Sequence, residues 1–239
     1  MTYLSKSHLF VDAMKADIKA ERLVAGLTTE GKGDDFKGCW IGCVLREYSH
    51  EGMANSLSWP LPLVRISETI FEGLNNKENE QAFAVDILAA PKPNADVSLI
   101  HWEFLHWLVS DTLEKYADSK TQKACEKAVK VLRDKADGKE VSADAAGHAA
   151  DAAYAADAGH AAYAAADAAY AAARAAARAA RAAADAADAA DAAAYAADAA
   201  AYAAYAARAA DTAADAARAA RYKEMADKLI EIMKEAPAI

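Results

Sequence analysis

Apolar positions recur at helical spacing along the first part of the chain. Leu9, Phe10, Ala13, Met14, Ala16 and Ile18 predict a helix over 8–25 that closes near Gly26. Positions 28–37 hold two glycines and two adjacent aspartates with little that is apolar, and read as a loop. Gly38-Cys39-Trp40-Ile41-Gly42-Cys43-Val44-Leu45 is too apolar for an exposed segment and reads as a short buried helix. Trp59-Pro60-Leu61-Pro62 is extended, because each proline biases the residue before it away from the helical region. Pro62 suits a first helical turn; Leu63, Ile66, Ile70 and Phe71 follow at the right intervals, with Gly73 as the stop. A further helix is predicted over 78–89, closed by Pro91 and Pro93. Asn94 or Asp96 then caps the most apolar helix, 97–116. Its Ile100, Trp102, Phe104, Leu105, Trp107, Leu108 and Leu113 cover most of the circumference, which places it centrally. Ser119-Lys120-Thr121-Gln122 has the capping-box form and opens a helix carrying Ala124, Cys125, Ala128, Val129, Val131 and Leu132, stopped at Gly138. No segment alternates as a strand, so the expected fold is all-α.

From 143 to 221 the pattern changes to alanine, broken every third or fourth position by Asp, Tyr, Arg, Gly or His. Alanine is the best helix former, so this stretch reads as helix despite its simple composition. From Asp144, His148 and Asp151 to Asp215, Arg218 and Arg221, 77 residues pass in 23 steps, or about 3.35 residues per step. At 3.6 residues per turn the polar stripe slips by about 25° at each step. Several shorter helices packed through alanine faces therefore fit better than one rod of about 117 Å. One turn is placed near 182–184, which sets Arg174, Arg178 and Arg181 against Asp185, Asp188 and Asp191. Met225, Leu229, Ile230, Ile232 and Met233 restore bulky residues and are expected to fold back as a cap on the alanine layer. The division implied is an N-terminal helical domain, 1–118, followed by an alanine-rich multi-helix bundle or stack with its capping helix, 119–239.

Composition narrows the function. A net charge of −9 disfavours a nucleic-acid surface, which needs clustered Lys and Arg, and suits docking on a basic partner. No apolar run reaches the roughly 18 residues of a membrane span, and no leader is evident. Three cysteines fit free thiols in the cytoplasm. Cys39 and Cys43 share a helix face, but His50, His101 and His106 do not complete a standard zinc spacing, so buried core thiols are the expectation. His101 and His106 lie five apart and point in different directions. His148 and His160 sit on the polar stripe with Asp144, Asp151 and Asp157. The residues singled out for partner binding are Tyr154, Tyr163, Tyr170, Tyr195, Tyr202, Tyr205, Asp185, Asp188 and Asp191, because tyrosine carries large contact area at low entropic cost. No phosphate loop, nucleophile elbow or paired-carboxylate signature is seen, so no catalytic residue, metal or cofactor is assigned. With Thr212 the single threonine of the tract, an ice-binding array does not fit.

Gly38-Cys39-Trp40-Ile41-Gly42-Cys43, followed by Ile70-Phe71-Glu72-Gly73-Leu74 and Asn94-Ala95-Asp96, resembles a group of phage, prophage and bacterial proteins assigned to immunity roles in polymorphic toxin systems. The run of Cys125-Glu126-Lys127-Ala128, Leu132-Arg133 and Gly138 into alanine repeats is similar to theirs as well. Where that group tends to carry a histidine after the second cysteine, this chain has Arg46. The resemblance implies a mobile-element setting and action by binding another protein. The expectation is a non-enzymatic inhibitor, of the anti-defence, anti-CRISPR or immunity kind, that contacts a bacterial defence or toxin effector in the cytoplasm. The alternatives are a structural protein that pairs through alanine faces, including as a homodimer, and a small-ligand or metal-dependent protein with a site near Cys39, His101 and His106.

Overall fold

The computed structural model describes residues 2–116, 119–141 and 211–238, and among them the chain is mostly helical, as the all-α expectation requires. A 3₁₀ turn, Ser7–Phe10, leads into α1, Val11–Lys19. A two-residue antiparallel ladder pairs β1, Thr29–Glu30, with β2, Lys37–Gly38, in the register Thr29↔Gly38. Then follow α2 (Trp40–Leu45), α3 (His50–Leu57), α4 (Leu61–Gly73), α5 (Lys77–Ala89), α6 (Ile100–Tyr116), α7 (Ser119–Ala136) and α8 (Asp211–Glu235). No helix among the described residues is long and apolar enough to cross a membrane. The chain divides into two compact units, Met1–Ile100 with Tyr222–Ile239, and His101–Arg221, whereas composition had placed the division at 118/119.

In the first unit Trp40 and Trp59 stand with ring centroids 6.2 Å apart, and Met53, Leu57, Ile66, Ile70 and Phe71 are fully buried in the same unit. The Trp59 Nε1–H donates to Ser5 Oγ at 2.9 Å, and Ser7 Oγ donates to the Leu88 carbonyl at 2.7 Å, so the buried hydroxyls are hydrogen-bonded. Met225, Leu229, Ile232 and Met233 of α8 are buried as residues of this unit. The bulky face of α8 thus belongs with the N-terminal core; the alanine layer it was expected to cap lies outside the described residues. There Tyr222 lies so close to Gly73 that a Cβ would meet its ring at 2.3 Å. Gly73 ends α4, as predicted, but its missing side chain makes room for an aromatic ring.

Several predicted boundaries move for stated reasons. α1 stops at Lys19 rather than near Gly26. The Arg22 N–H bonds to the Asp17 carbonyl and Glu21 N–H to the Ile18 carbonyl, with Glu21 left-handed at φ 55. This is the Schellman closure, made without the glycine that usually announces it. α6 starts at Ile100 rather than 97, because Val97 N–H is held extended by the Tyr3 carbonyl at 2.9 Å. Of the two residues expected to cap it, Asp96 instead closes a turn ahead of the helix, its carboxylate accepting from Ser98 N–H, and Asn94 is left-handed. α3 is absent from the prediction because Gly52, Asn55 and Ser56 blur its pattern, but Ser49 caps it, accepting from Gly52 N–H at 2.9 Å. Gly138 closes α7, left-handed at φ 73, as read from the chain.

Of the second unit the described parts are residues 101–116, 119–141 and 211–221. α6 buries Phe104, Leu105, Leu108 and Val109 and leaves Glu103, Glu114 and Lys115 exposed, so it is sided rather than apolar all round. Arg221, expected on a solvated stripe, is 6 % exposed. Its guanidinium meets Asp111 at 2.6 Å and Thr112 Oγ1 at 3.0 Å, and lies 5.3 Å from the Trp107 ring centroid. Arg221→Ala would remove the buried guanidinium from Asp111, Thr112 and the Trp107 ring, leaving Asp111 its pair with Lys115 at 3.1 Å, and is expected to cost about 2 kcal/mol by chemical denaturation; a loss below 0.5 kcal/mol would contradict the clasp. Gly73→Ala is expected to cost about 1–3 kcal/mol through the displaced Tyr222 ring, and an unchanged denaturation midpoint would rule that packing out.

Candidate functional site

Gly38 at the end of β2 and Gly42 in α2 both face the Thr28 backbone. A Cβ on Gly42 would come 2.5 Å from the Thr28 carbonyl oxygen, and one on Gly38 would come 3.0 Å from it. The two glycines thus admit a backbone crossing, and the cysteines between and after them point into the core. Burial pushes the Cys39 thiol up to about 11 and the Cys43 thiol up to about 12, the latter helped by the Asp17 carboxylate. Cys125 is likewise buried and raised to about 11. All three are free thiols, and a thiol kept protonated is a poor nucleophile and metal ligand. Among the described residues no three His, Cys, Asp or Glu side chains converge as a metal site.

A polar cluster that the sequence reading missed lies on the same side of α2. Glu68 of α4 bonds to His50 Nε2 at the start of α3 and accepts from the Tyr48 hydroxyl. The Tyr48 ring meets the His50 ring edge-on at 5.2 Å yet remains 42 % exposed. Burial first, and then the Glu68 carboxylate, raise the Tyr48 phenol, so it stays a neutral donor. One turn along α4, the exposed Glu72 accepts from Gly26 N–H. Glu68 and Glu72 at i,i+4 were the available signal, but spacing alone does not say which loop folds over them. His50, weighed from sequence with His101 and His106 as a candidate zinc ligand, is held by a carboxylate.

On the far end of α2, Asp17 is buried and meets the Arg46 guanidinium at 2.8 and 2.9 Å, one nitrogen to each carboxylate oxygen, with Arg22 at 3.4 Å. Arg46 also stacks over Phe36, 4.9 Å from its centroid. Arg46 thus anchors α1 to α2 through an ion pair with the buried carboxylate, hydrogen-bonded at Asp17 Oδ1.

Tyr154, Tyr163, Tyr170, Tyr195, Tyr202, Tyr205, Asp185, Asp188 and Asp191 lie outside the described residues, as do His148, His160 and the turn placed at 182–184. Cys39 belongs to the first unit, and His101 and His106 belong to the second. His106 is half-buried, and burial and then Arg133 lower its pKa. His101 is almost fully buried beside Trp102, and burial alone drives its pKa down to about 3. Unfolding returns that imidazole to its ordinary value near 6.5, so the unfolded chain takes up a proton that the folded chain refuses. Stability is therefore expected to fall as pH drops from about 6.5 toward 3, and His101→Leu to flatten that slope. Identical slopes in urea melts of both chains would exclude the effect. Compared with protein-family models, curated proteins and solved structures, the chain finds no match.

Proposed function

We propose that this chain is a non-enzymatic inhibitor, of the immunity or anti-defence kind, that neutralises a bacterial effector in the cytoplasm by direct contact. The observation that carries this reading is Tyr48: a large aromatic ring left exposed, yet held in one orientation by Glu68 and His50. Rigid exposed aromatics lose little entropy on binding and are enriched at the energetic centres of interfaces. Exposed Glu47 and Glu51 flank it in a chain of net charge −9, which favours a basic partner surface and speeds encounter with it. The thiols and His101, kept neutral by burial, agree with a role outside catalysis. The tyrosines and aspartates of the alanine tract extend the same chemistry. Affinity capture from a bacterial host that meets phage is expected to recover one stoichiometric partner. Tyr48→Ala should weaken that capture at least tenfold, and replacing the six tract tyrosines by alanine should weaken it as well. Recovery unaffected by both variants would overturn the reading. A discrete homo-oligomer by light scattering, with no partner retained, would replace it with the structural one.

A further inference from the structure

Within an acidic chain, α7 is a basic helix. It holds six lysines and arginines against Glu126 and Asp134, a net charge of +4 where the whole chain carries −9. Lys123, Lys127 and Lys130 follow at intervals of four and three, so they share the face opposite buried Cys125, Ala128 and Leu132, and all three are exposed. Farther along, carboxylates answer the cations: Asp134 pairs with Lys130 and Lys139, and Asp137 pairs with Arg133 at 3.0 Å. Lys123 and Lys127 have no such partner among the described residues. Standing four apart they repel each other, and the helix by itself gains nothing from that arrangement.

The first unit presents the opposite charge. Positions 47–80 hold six glutamates, Glu47, Glu51, Glu68, Glu72, Glu78 and Glu80, against Arg65 and Lys77, a net of −4. Lys77 pairs away from them, with Glu21 at 3.6 Å. Glu72 senses both Glu68 and Glu80, and the Tyr48 phenol senses Glu68 and Glu72, so these carboxylates lie together beside an exposed ring.

We propose that the chain docks on a second copy of itself: the exposed lysines of α7 in one copy meet the exposed glutamates around Tyr48 in the other. The two faces are equal in charge and opposite in sign, and a lysine arriving there finds carboxylates and an aromatic ring together. A second copy satisfies both faces, where a nucleic acid would satisfy α7 alone. Because the faces differ, the contact is head-to-tail rather than two-fold. It covers the same Tyr48 face as an effector, so self-docking and effector capture exclude each other. Self-docking is read on the purified chain alone, and either reading can fail without the other.

Sedimentation velocity of the full chain tests this. At about 0.1 M salt, where charges in contact still attract, the weight-average mass is expected to rise with concentration; at about 1 M salt it should return to that of a monomer. Lys123→Glu with Lys127→Glu should abolish the rise, and so should Glu47→Lys with Glu51→Lys; all four positions are exposed. An equimolar mixture of the two double variants should associate again, because each then offers the face that the other lacks. A native chain that stays monomeric at about 0.1 M salt up to its solubility limit would overturn the proposal. Retardation of a DNA duplex by that monomer through Lys123 and Lys127 would assign the face to nucleic acid instead. A mixture that stays monomeric, or association that either double variant leaves intact, would overturn the proposal as well.

Discussion

The first unit depends on a three-residue piece of extended backbone, residues 95–97, hydrogen-bonded on two sides. Ser5 N–H reaches the Ala95 carbonyl at 2.9 Å and Val97 N–H reaches the Tyr3 carbonyl at 2.9 Å, while Asp96 N–H reaches the Pro237 carbonyl at 2.8 Å. Both ends of the chain are thereby joined to its middle. Each bond is worth only about 1 kcal/mol net, but together they set the register in which α8 delivers Met225, Leu229, Ile232 and Met233 to the core. That closure explains why α6 begins late and why Gly73 must be bare, since Tyr222 arrives from the far end of the sequence.

A second constraint is the number of helices that end on a left-handed residue other than glycine. Glu21, Arg46, Ser58 and Asn75 close α1 to α4 with positive φ, and Asn94 has it in the loop before α6, at a cost of about 1 kcal/mol or more for a residue with a Cβ. The surroundings justify the expense at two of them. Glu21 closes α1 so that Asp17 stays buried, and Arg46 closes α2 so that its guanidinium reaches that same Asp17. A buried carboxylate without its arginine would be severely destabilising, so the strained turns and the ion pair hold each other in place.

On the other side of α2, charge is arranged differently. Glu68 is satisfied by two side-chain donors, whereas Glu72 has one backbone N–H and acidic neighbours. The first arrangement makes a rigid surface around Tyr48; the second ties the 26–38 loop to α4 through the Gly26 N–H. Both rest on α4, a helix that the chain announces clearly through Pro62 and the Leu63, Ile66, Ile70, Phe71 spacing.

Local chemistry determined the helices of this protein: α2, α4, α5 and α7 follow from apolar spacing, prolines and the Gly138 stop, because those signals act within a few residues. It also determined that Cys39 and Cys43 are core thiols, since a segment that apolar has nowhere else to go. Only the tertiary structure decided that Arg221 and Asp17 are buried, that α8 belongs to the N-terminal core, and that Tyr48, His50, Glu68 and Glu72 meet at one place. The physical reason is common to all of them. An arginine, a glutamate or an exposed tyrosine has no preferred environment of its own, and its role is set by a partner that lies 18 to 110 positions away along the chain.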